Sequence, residues 1–398
     1  MSEPHFALGD SSLYPDLKAK AYLAYAATAP VSRLVKAAVN RVLDSYAERG
    51  NVAFVEWMEQ REQLRGRLGR LVGARGEDIA LISGTTRGIS DLALCFPWRA
   101  GDRVVLFEGE FPANVTPWQR AAEHFGLRLD FVPMAHAVED EESFLKPLEQ
   151  LLTRGVRLVA VSAVQFQTGL RMPLEKLGAL CRLHGAELCV DAIQATGVIP
   201  LDVQASSVDY LITGSHKWLL GPEGVGFLYA QRERARALVP RTAGWLSHED
   251  PATFLFAPGQ LRTDRPLKDS VQVLEGGSSS TLGFAALDAA IEPLLTLTPA
   301  AILAHVGRYN DALEPELTAR GFRSRRAAQP ERRSGILSFV PPVDISATEL
   351  VLQLRERGVY ASMPDGLLRF APHFPNALSE IETVLGALDA ALVGIKKP

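Results

Sequence analysis

Seven short runs rich in β-branched and apolar residues, at 79–82, 103–107, 128–132, 157–161, 187–190, 210–213 and 225–229, recur between longer amphipathic stretches. Spacing of that kind constrains the fold strongly. Parallel neighbours need a crossover of a dozen or more residues, and the crossover helix buries its apolar stripe on a sheet face. The expected class is α/β, in three layers, with a mostly parallel seven-stranded sheet between helices. Helices are expected at 115–125 and at 174–184, the second stopped by Gly185. A helical hairpin at 31–48 and 54–71 should precede the sheet.

After about residue 260 the rhythm changes to helices at 299–319, 347–356 and 379–395, with strands at 336–340 and 367–370 among them. A chain of 398 residues, 47% hydrophobic and 22% charged, is long enough for two domains. The expectation is a large domain over 20–260 and a smaller α/β C-terminal domain over 261–398, joined by 1–19. The basic run 320–333 reads as a solvated loop.

Charge and composition narrow the partners. A formal charge of −4 without a long basic run argues against nucleic acid and anionic membrane. No stretch reaches about 18 apolar residues, and residues 1–10 lack the pattern of a signal peptide, so a cytoplasmic protein is expected. Cys95, Cys181 and Cys189 show no close pair and read as reduced, buried thiols. A ligand set of Cys181, His184 and Cys189 is disfavoured, and no metal is expected.

Chemistry concentrates where these strands end. Lys217 follows the run Tyr210-Leu211-Ile212-Thr213-Gly214, and Asp191 closes Leu188-Cys189-Val190. The mouth of a buried sheet disfavours a lysine charge and so can make the amine nucleophilic near neutrality. A carboxylate there must be paired, either by a ligand or by backbone amides. Together an acid and an amine suggest an aldehyde cofactor. Ser83-Gly84-Thr85-Thr86 follows a strand and opens a helix, which suits a phosphate, although a simple N-cap explains the same residues. Arg369, in an apolar segment, could hold a carboxylate through two parallel hydrogen bonds. No G-x-G-x-x-G turn supports a nicotinamide cofactor.

Asp191-x-x-Gln194 followed by Ser215-His216-Lys217 resembles the pyridoxal phosphate site of the class V aminotransferase family, which includes cysteine desulfurases, kynureninases and isopenicillin N epimerase. The resemblance runs from Tyr22-Leu23-Ala24-Tyr25-Ala26-Ala27-Thr28 to Arg369. It implies the fold type I of such enzymes, with Lys217 in Schiff-base linkage to the cofactor and shuttling the α-proton. Asp191 would pair with the pyridinium nitrogen, Gln194 would bond the ring oxygen, and Phe111 would stack on the ring. Thr85, Thr86, Ser215 and His216 would contact the phosphate. Ser278 would reach it from a partner subunit, implying a homodimer with shared active sites. Arg369 and Gln165 would meet the substrate.

Departures from the pattern limit the reaction. Gly214 stands three residues before the lysine, where a hydroxyl is common, and Ser215 resembles the kynureninase arrangement instead. The loop 359–366 carries no cysteine, which disfavours desulfuration through an enzyme persulfide. Trp245 and His248 resemble a kynureninase segment that receives an aromatic substrate, or serve as interface and capping residues. The resemblance implies an enzyme acting on a small-molecule α-amino acid, as aminotransferase or Cβ/Cγ lyase. Epimerase-like and kynureninase-like activities, and a non-catalytic cofactor-binding protein, stay open.

Overall fold

A computed structural model describes residues 6–395. Its strands in chain order are β1 (Ala21–Tyr22), β2 (Ile79–Ile82), β3 (Arg103–Phe107), β4 (Arg128–Val132), β5 (Val156–Ser162), β6 (Glu187–Asp191), β7 (Tyr210–Gly214), β8 (Gly226–Ala230), β9 (Arg323–Ser324), β10 (Leu337–Val340), β11 (Val359–Tyr360) and β12 (Leu368–Phe370). Helices α1 (Arg33–Arg49) and α2 (Ala53–Val72) precede the large sheet, and α3 (Thr85–Cys95), α4 (Thr116–Phe125), α5 (Glu142–Leu152) and α6 (Leu174–Leu183) connect its strands. Then follow α7 (Arg232–Ala237), α8 (Thr281–Ala290), α9 (Glu292–Leu297), α10 (Pro299–Ala319), α11 (Ala347–Glu356) and α12 (Glu380–Ile395).

The seven-stranded sheet has the order β2-β8-β7-β6-β5-β3-β4. From β7 to β4 all neighbours are parallel. Only β8 runs against its neighbours β7 and β2, so the mostly parallel sheet required by the spacing of the runs is present with one reversed strand. Every residue of β6, β7 and β8 is buried, because helices cover both faces. Alternate residues feed opposite cores: Val105, Val159, Leu188 and Leu211 join one cluster, while Val104, Leu158, Cys189 and Ile212 join the other.

A third core lies around the antiparallel sheet β9-β10-β12 and helices α10 to α12. Ala21 and Leu23 belong to it, since β1 pairs in parallel with β11. Phe284, Leu287 and Leu294 pack instead with the first core of the large sheet, and the third core takes over along α10 from Tyr309. The basic run 320–333 is not the solvated loop expected. Arg332 is 3% exposed and donates to the carbonyls of Ala137 and Val138, and Arg326 is buried against Asp311 and Glu314. Among the described residues no single helix is long and apolar enough to cross a membrane.

Candidate active site

The parallel strands deliver their carboxyl ends to one edge, where open α/β sheets carry ligands. Central strand β6 ends at Asp191, whose Oδ1 accepts the amide of Ile193 at 3.0 Å. Burial pushes the Asp191 carboxyl up to about 6, against the opposing pulls of that amide and of Lys217. β7 ends at Gly214, and the turn 215–221 is closed by Leu220 N–H to the Lys217 carbonyl at 3.0 Å and Gly221 N–H to the Ser215 carbonyl at 2.9 Å. Burial brings the Lys217 amine down to about 8; Asp191 opposes that shift and Arg369 adds to it. A far larger share of the amine is therefore neutral near pH 7 than in an ordinary lysine, and that share is the nucleophile. Its Nζ lies 5.5 Å from the centre of the Phe111 ring.

At the edge beside β8, β2 runs into Gly84, whose φ of 140° is open to glycine, and α3 starts at Thr85. No side chain caps this helix, so its first amides remain free for an anion. Thr85 Oγ1 is buried and has no hydrogen-bond partner. A buried hydroxyl in that state costs stability unless a ligand satisfies it. His216 is held below the usual histidine range by burial and by the neighbouring Lys217 charge.

Arg369 reaches the same space from β12 in the other sheet. Its Nε donates to Ser362 Oγ at 2.9 Å and its Nη1 to the Phe166 carbonyl at 2.6 Å. Burial lowers this guanidinium to about 10, and among the described residues no carboxylate pairs with it. A buried cation whose remaining N–H groups lack an acid among the described residues has the chemistry to receive a carboxylate.

A cavity of about 1060 Å³ collects these groups. Thr85, Thr86, Phe111, Asp191, Gln194, His216, Lys217 and Arg369, all singled out in the sequence, line it together. Gln194 is fixed from below: its Oε1 accepts the Trp218 indole N–H at 2.8 Å and its Nε2 donates to the Ala26 carbonyl at 3.0 Å, leaving one N–H for a ligand.

Three expected contacts do not reach the cavity. Ser215 is fully buried and its hydroxyl donates to the Pro222 carbonyl, which closes the turn rather than facing a phosphate. Gln165 folds back on its own loop, where Oε1 accepts the amides of Gln167 and Thr168 at 2.8 and 2.9 Å, and it borders a different cavity. Ser278 lines an adjoining cavity that shares Ser83, Arg87 and Gly224 with the first. Trp245 packs edge-on to Phe254 and His248 Nδ1 bonds the Arg265 carbonyl, so neither joins this wall. Sequence reasoning missed Thr28, Ser90, Phe166 and Glu223 in the wall, because single residues on three loops and on helix α3 carry no motif of their own. Among the described residues no group of three His, Cys, Asp or Glu could hold a metal ion.

An amine brought down toward neutrality by burial, a carboxylate at a central strand end, a buried hydroxyl without a partner among the described residues at an uncapped helix, and a guanidinium without an acid among them fit pyridoxal phosphate and an amino acid. With this fold they define a pyridoxal-phosphate-dependent enzyme of fold type I. The family profile described as Aminotransferase class-V matches residues 21–366, and the chain belongs to that family. It is 31% identical over 310 residues to a cysteine desulfurase of Dickeya dadantii (strain 3937), covering 76% of this chain and 69% of the relative. A cysteine desulfurase of Escherichia coli (strain SE11) is 30% identical over 293 residues, covering 71% and 67%. Among solved structures, the fold matches the Escherichia coli cysteine desulfurase CsdA with a TM-score of 0.82 at 23% identity, over 96% of this chain and 97% of that one. It also matches a C-DES variant with glycine covalently linked to its PLP cofactor, with a TM-score of 0.86 at 23% identity, over 95% and 98%.

Proposed function

We propose that the protein is a pyridoxal-phosphate-dependent Cβ–S lyase that acts on cysteine or a related sulfur-bearing α-amino acid and releases the sulfur as a diffusible product. One observation carries this reading. Lys217, Asp191 and the unpaired Arg369 open into a single cavity, whereas Cys95, Cys181 and Cys189 are all buried, at 0, 1 and 0% exposure, away from its wall. The curated relatives support the sulfur substrate by name. The buried thiols argue against a persulfide on the enzyme, since an attacking sulfur needs access and thiolate character. Burial raises Cys181 and Cys189, which keeps both protonated.

Each residue then has a task. Arg369 grips the substrate carboxylate, and Ser362 and Phe166 fix the direction of its fork. The first amides of α3, with Thr85 and His216, would hold the cofactor phosphate, Phe111 would pack on the ring, and Asp191 would keep a proton on the ring nitrogen. When bound, the cofactor stabilises the electron pair left on the substrate α-carbon. Lys217 would take the α-proton at its Nζ, and the β-sulfur would leave with the electrons of its bond to carbon. For cysteine and one water the products balance as pyruvate, ammonia and hydrogen sulfide. The homodimer with shared active sites that the family resemblance implies is part of this proposal.

The test is to give the cofactor-loaded protein cysteine, cystine, alanine and kynurenine in turn and to quantify pyruvate and sulfide. Equal amounts of both from cysteine support the lyase. Conversion of the cofactor to its amine form with a keto acid and no sulfide would establish an aminotransferase instead.

A further inference from the structure

Lys217 and Arg369 sit on different sheets, one after β7 of the seven-stranded sheet and the other in β12 of the antiparallel sheet. A single amino acid must nevertheless span both, so something has to hold the two sheets in register at the site. Within the wall, the bond from Arg369 Nη1 to the Phe166 carbonyl ties β12 to the segment after β5, but not to the turn that bears Lys217. Behind the wall lies a buried polar joint that the chemistry above leaves unused.

Trp218 follows Lys217 directly and is fully buried. Its indole N–H reaches Gln194 at 2.8 Å, and its main-chain carbonyl is 3.1 Å from Nε2 of His373. His373 is also fully buried and stands four residues beyond Arg369. Its Nδ1 accepts the Phe374 amide at 2.7 Å, so Nδ1 carries no proton and Nε2 must donate to the Trp218 carbonyl. Burial and the nearby His305 hold this imidazole down at about 4, which keeps one neutral tautomer throughout the working range. On its own side, the His373 amide is tied to Asn376 Oδ1 at 2.8 Å, and the Ala371 amide to the Leu23 carbonyl at 2.7 Å.

Space is reserved for this joint. A Cβ at Gly197, where φ is +106°, would lie 2.3 Å from the Trp218 carbonyl oxygen. A Cβ at Gly335 would lie 2.5 Å from the Trp218 ring. Both approaches are far inside van der Waals contact, so only glycine admits the indole and leaves its carbonyl open to His373.

We propose that His373 is a positioning residue, which fixes the turn bearing Lys217 against the segment bearing Arg369 through the main-chain carbonyl of Trp218. The proposal rests on the assignment of Lys217 and Arg369 to one site. It touches neither the cofactor nor the substrate. Its loss therefore leaves the groups in place and loosens their alignment, and a misplacement of about 1 Å can cost about 100-fold in rate.

The experiment compares His373→Gln, whose amide reaches as far as Nε2, with His373→Asn, which is polar but too short, and with His373→Leu, which has no donor. Hydrogen exchange of the peptide containing Leu220 and Gly221 is followed in each protein, together with the cofactor dissociation constant. Relative to the rest of the chain, exchange of that peptide should speed up about 10-fold or more in the Asn and Leu variants and stay within about 3-fold in the Gln variant. The cofactor dissociation constant should stay within about 3-fold in all three, and turnover should fall at least about 10-fold in Asn and Leu with an almost unchanged half-saturation. If Leu fails to fold, the Gln and Asn pair still decides. Equal behaviour of Gln and Asn, or acceleration spread over the whole chain, would overturn the proposal. The exchange measurement needs no turnover, so a wild-type protein that released no sulfide would count against the lyase reading alone.

Discussion

Arg369 donates through Nε to Ser362 Oγ at 2.9 Å, and this bond orients a guanidinium that has no acidic partner among the described residues. Ser362 belongs to the loop 359–366, so the segment without a thiol here serves to aim the carboxylate clamp. Arg369→Lys keeps the charge and loses the fork. The half-saturating concentration of the amino acid should rise roughly 10- to 100-fold, while the spectrum of the bound cofactor stays as in the wild type. Ser362→Ala should raise it only a few-fold. Steady-state kinetics beside absorbance spectra check both, and an equal loss of cofactor and substrate affinity would make Arg369 structural.

The Lys217 amine gives a pH signature in the cofactor-free protein. Capture of pyridoxal phosphate requires the neutral amine, so its rate should climb with pH and be half-maximal near about 8. The two neighbouring charges act in opposite directions. Asp191 favours the charged amine, so Asp191→Asn should move the midpoint down; Arg369 disfavours it, so Arg369→Gln should move the midpoint up. Stopped-flow capture rates between about pH 6 and pH 10 measure all three. Shifts of the same sign in both variants would refute this electrostatic account.

Thr85 separates affinity from stability. Its hydroxyl is buried without a partner among the described residues, so Thr85→Val removes an unsatisfied group and keeps the shape. The cofactor-free protein should be as stable as the wild type or slightly more so. Cofactor affinity should fall about 10-fold, the worth of one hydrogen bond to a charged oxygen. Urea unfolding and equilibrium titration give the two quantities independently. A variant with weakened folding and intact affinity would show the hydroxyl to be structural.

Much of this was legible in the sequence because strand ends and motifs coincide. The runs at 79–82, 103–107 and 128–132 form strands with those bounds, and Lys217 and Asp191 follow from their places at the ends of β7 and β6. The reversed direction of β8 was not legible, since its apolar run reads the same whichever way it pairs. Ser215 and Gln165 went astray for a related reason. Sequence proximity to Lys217 or to a strand end says nothing of which way a short polar side chain turns, and here the carbonyl of Pro222 and the amides of Gln167 and Thr168 claim them. The joint between Trp218 and His373 left no signal at all, because it links side chain to main chain across 155 residues.

Glu110 tests how burial at the strand ends reads out in stability. Its carboxylate accepts the Ser162 amide at 2.6 Å and the Ser162 hydroxyl, and Ser162 is the register partner of Asp191 across β5 and β6. Burial, with a smaller push from the Asp191 charge, raises Glu110 to about 7 against the Ser162 bonds. A carboxyl raised in the folded state binds its proton more tightly there than in the unfolded chain, whose value is 4.5. Its stabilising contribution is thus complete below 4.5 and is lost as the pH rises through about 7. Glu110→Gln keeps an acceptor and a donor for Ser162 but cannot ionise. In cofactor-free protein the wild type should therefore lose stability relative to Glu110→Gln between about pH 5 and pH 8, whereas Asp191 titrates in both proteins and cancels to first order. Urea unfolding of both proteins at the two pH values measures the difference, and a gap that does not change with pH would mean that Glu110 is ionised in the folded state throughout.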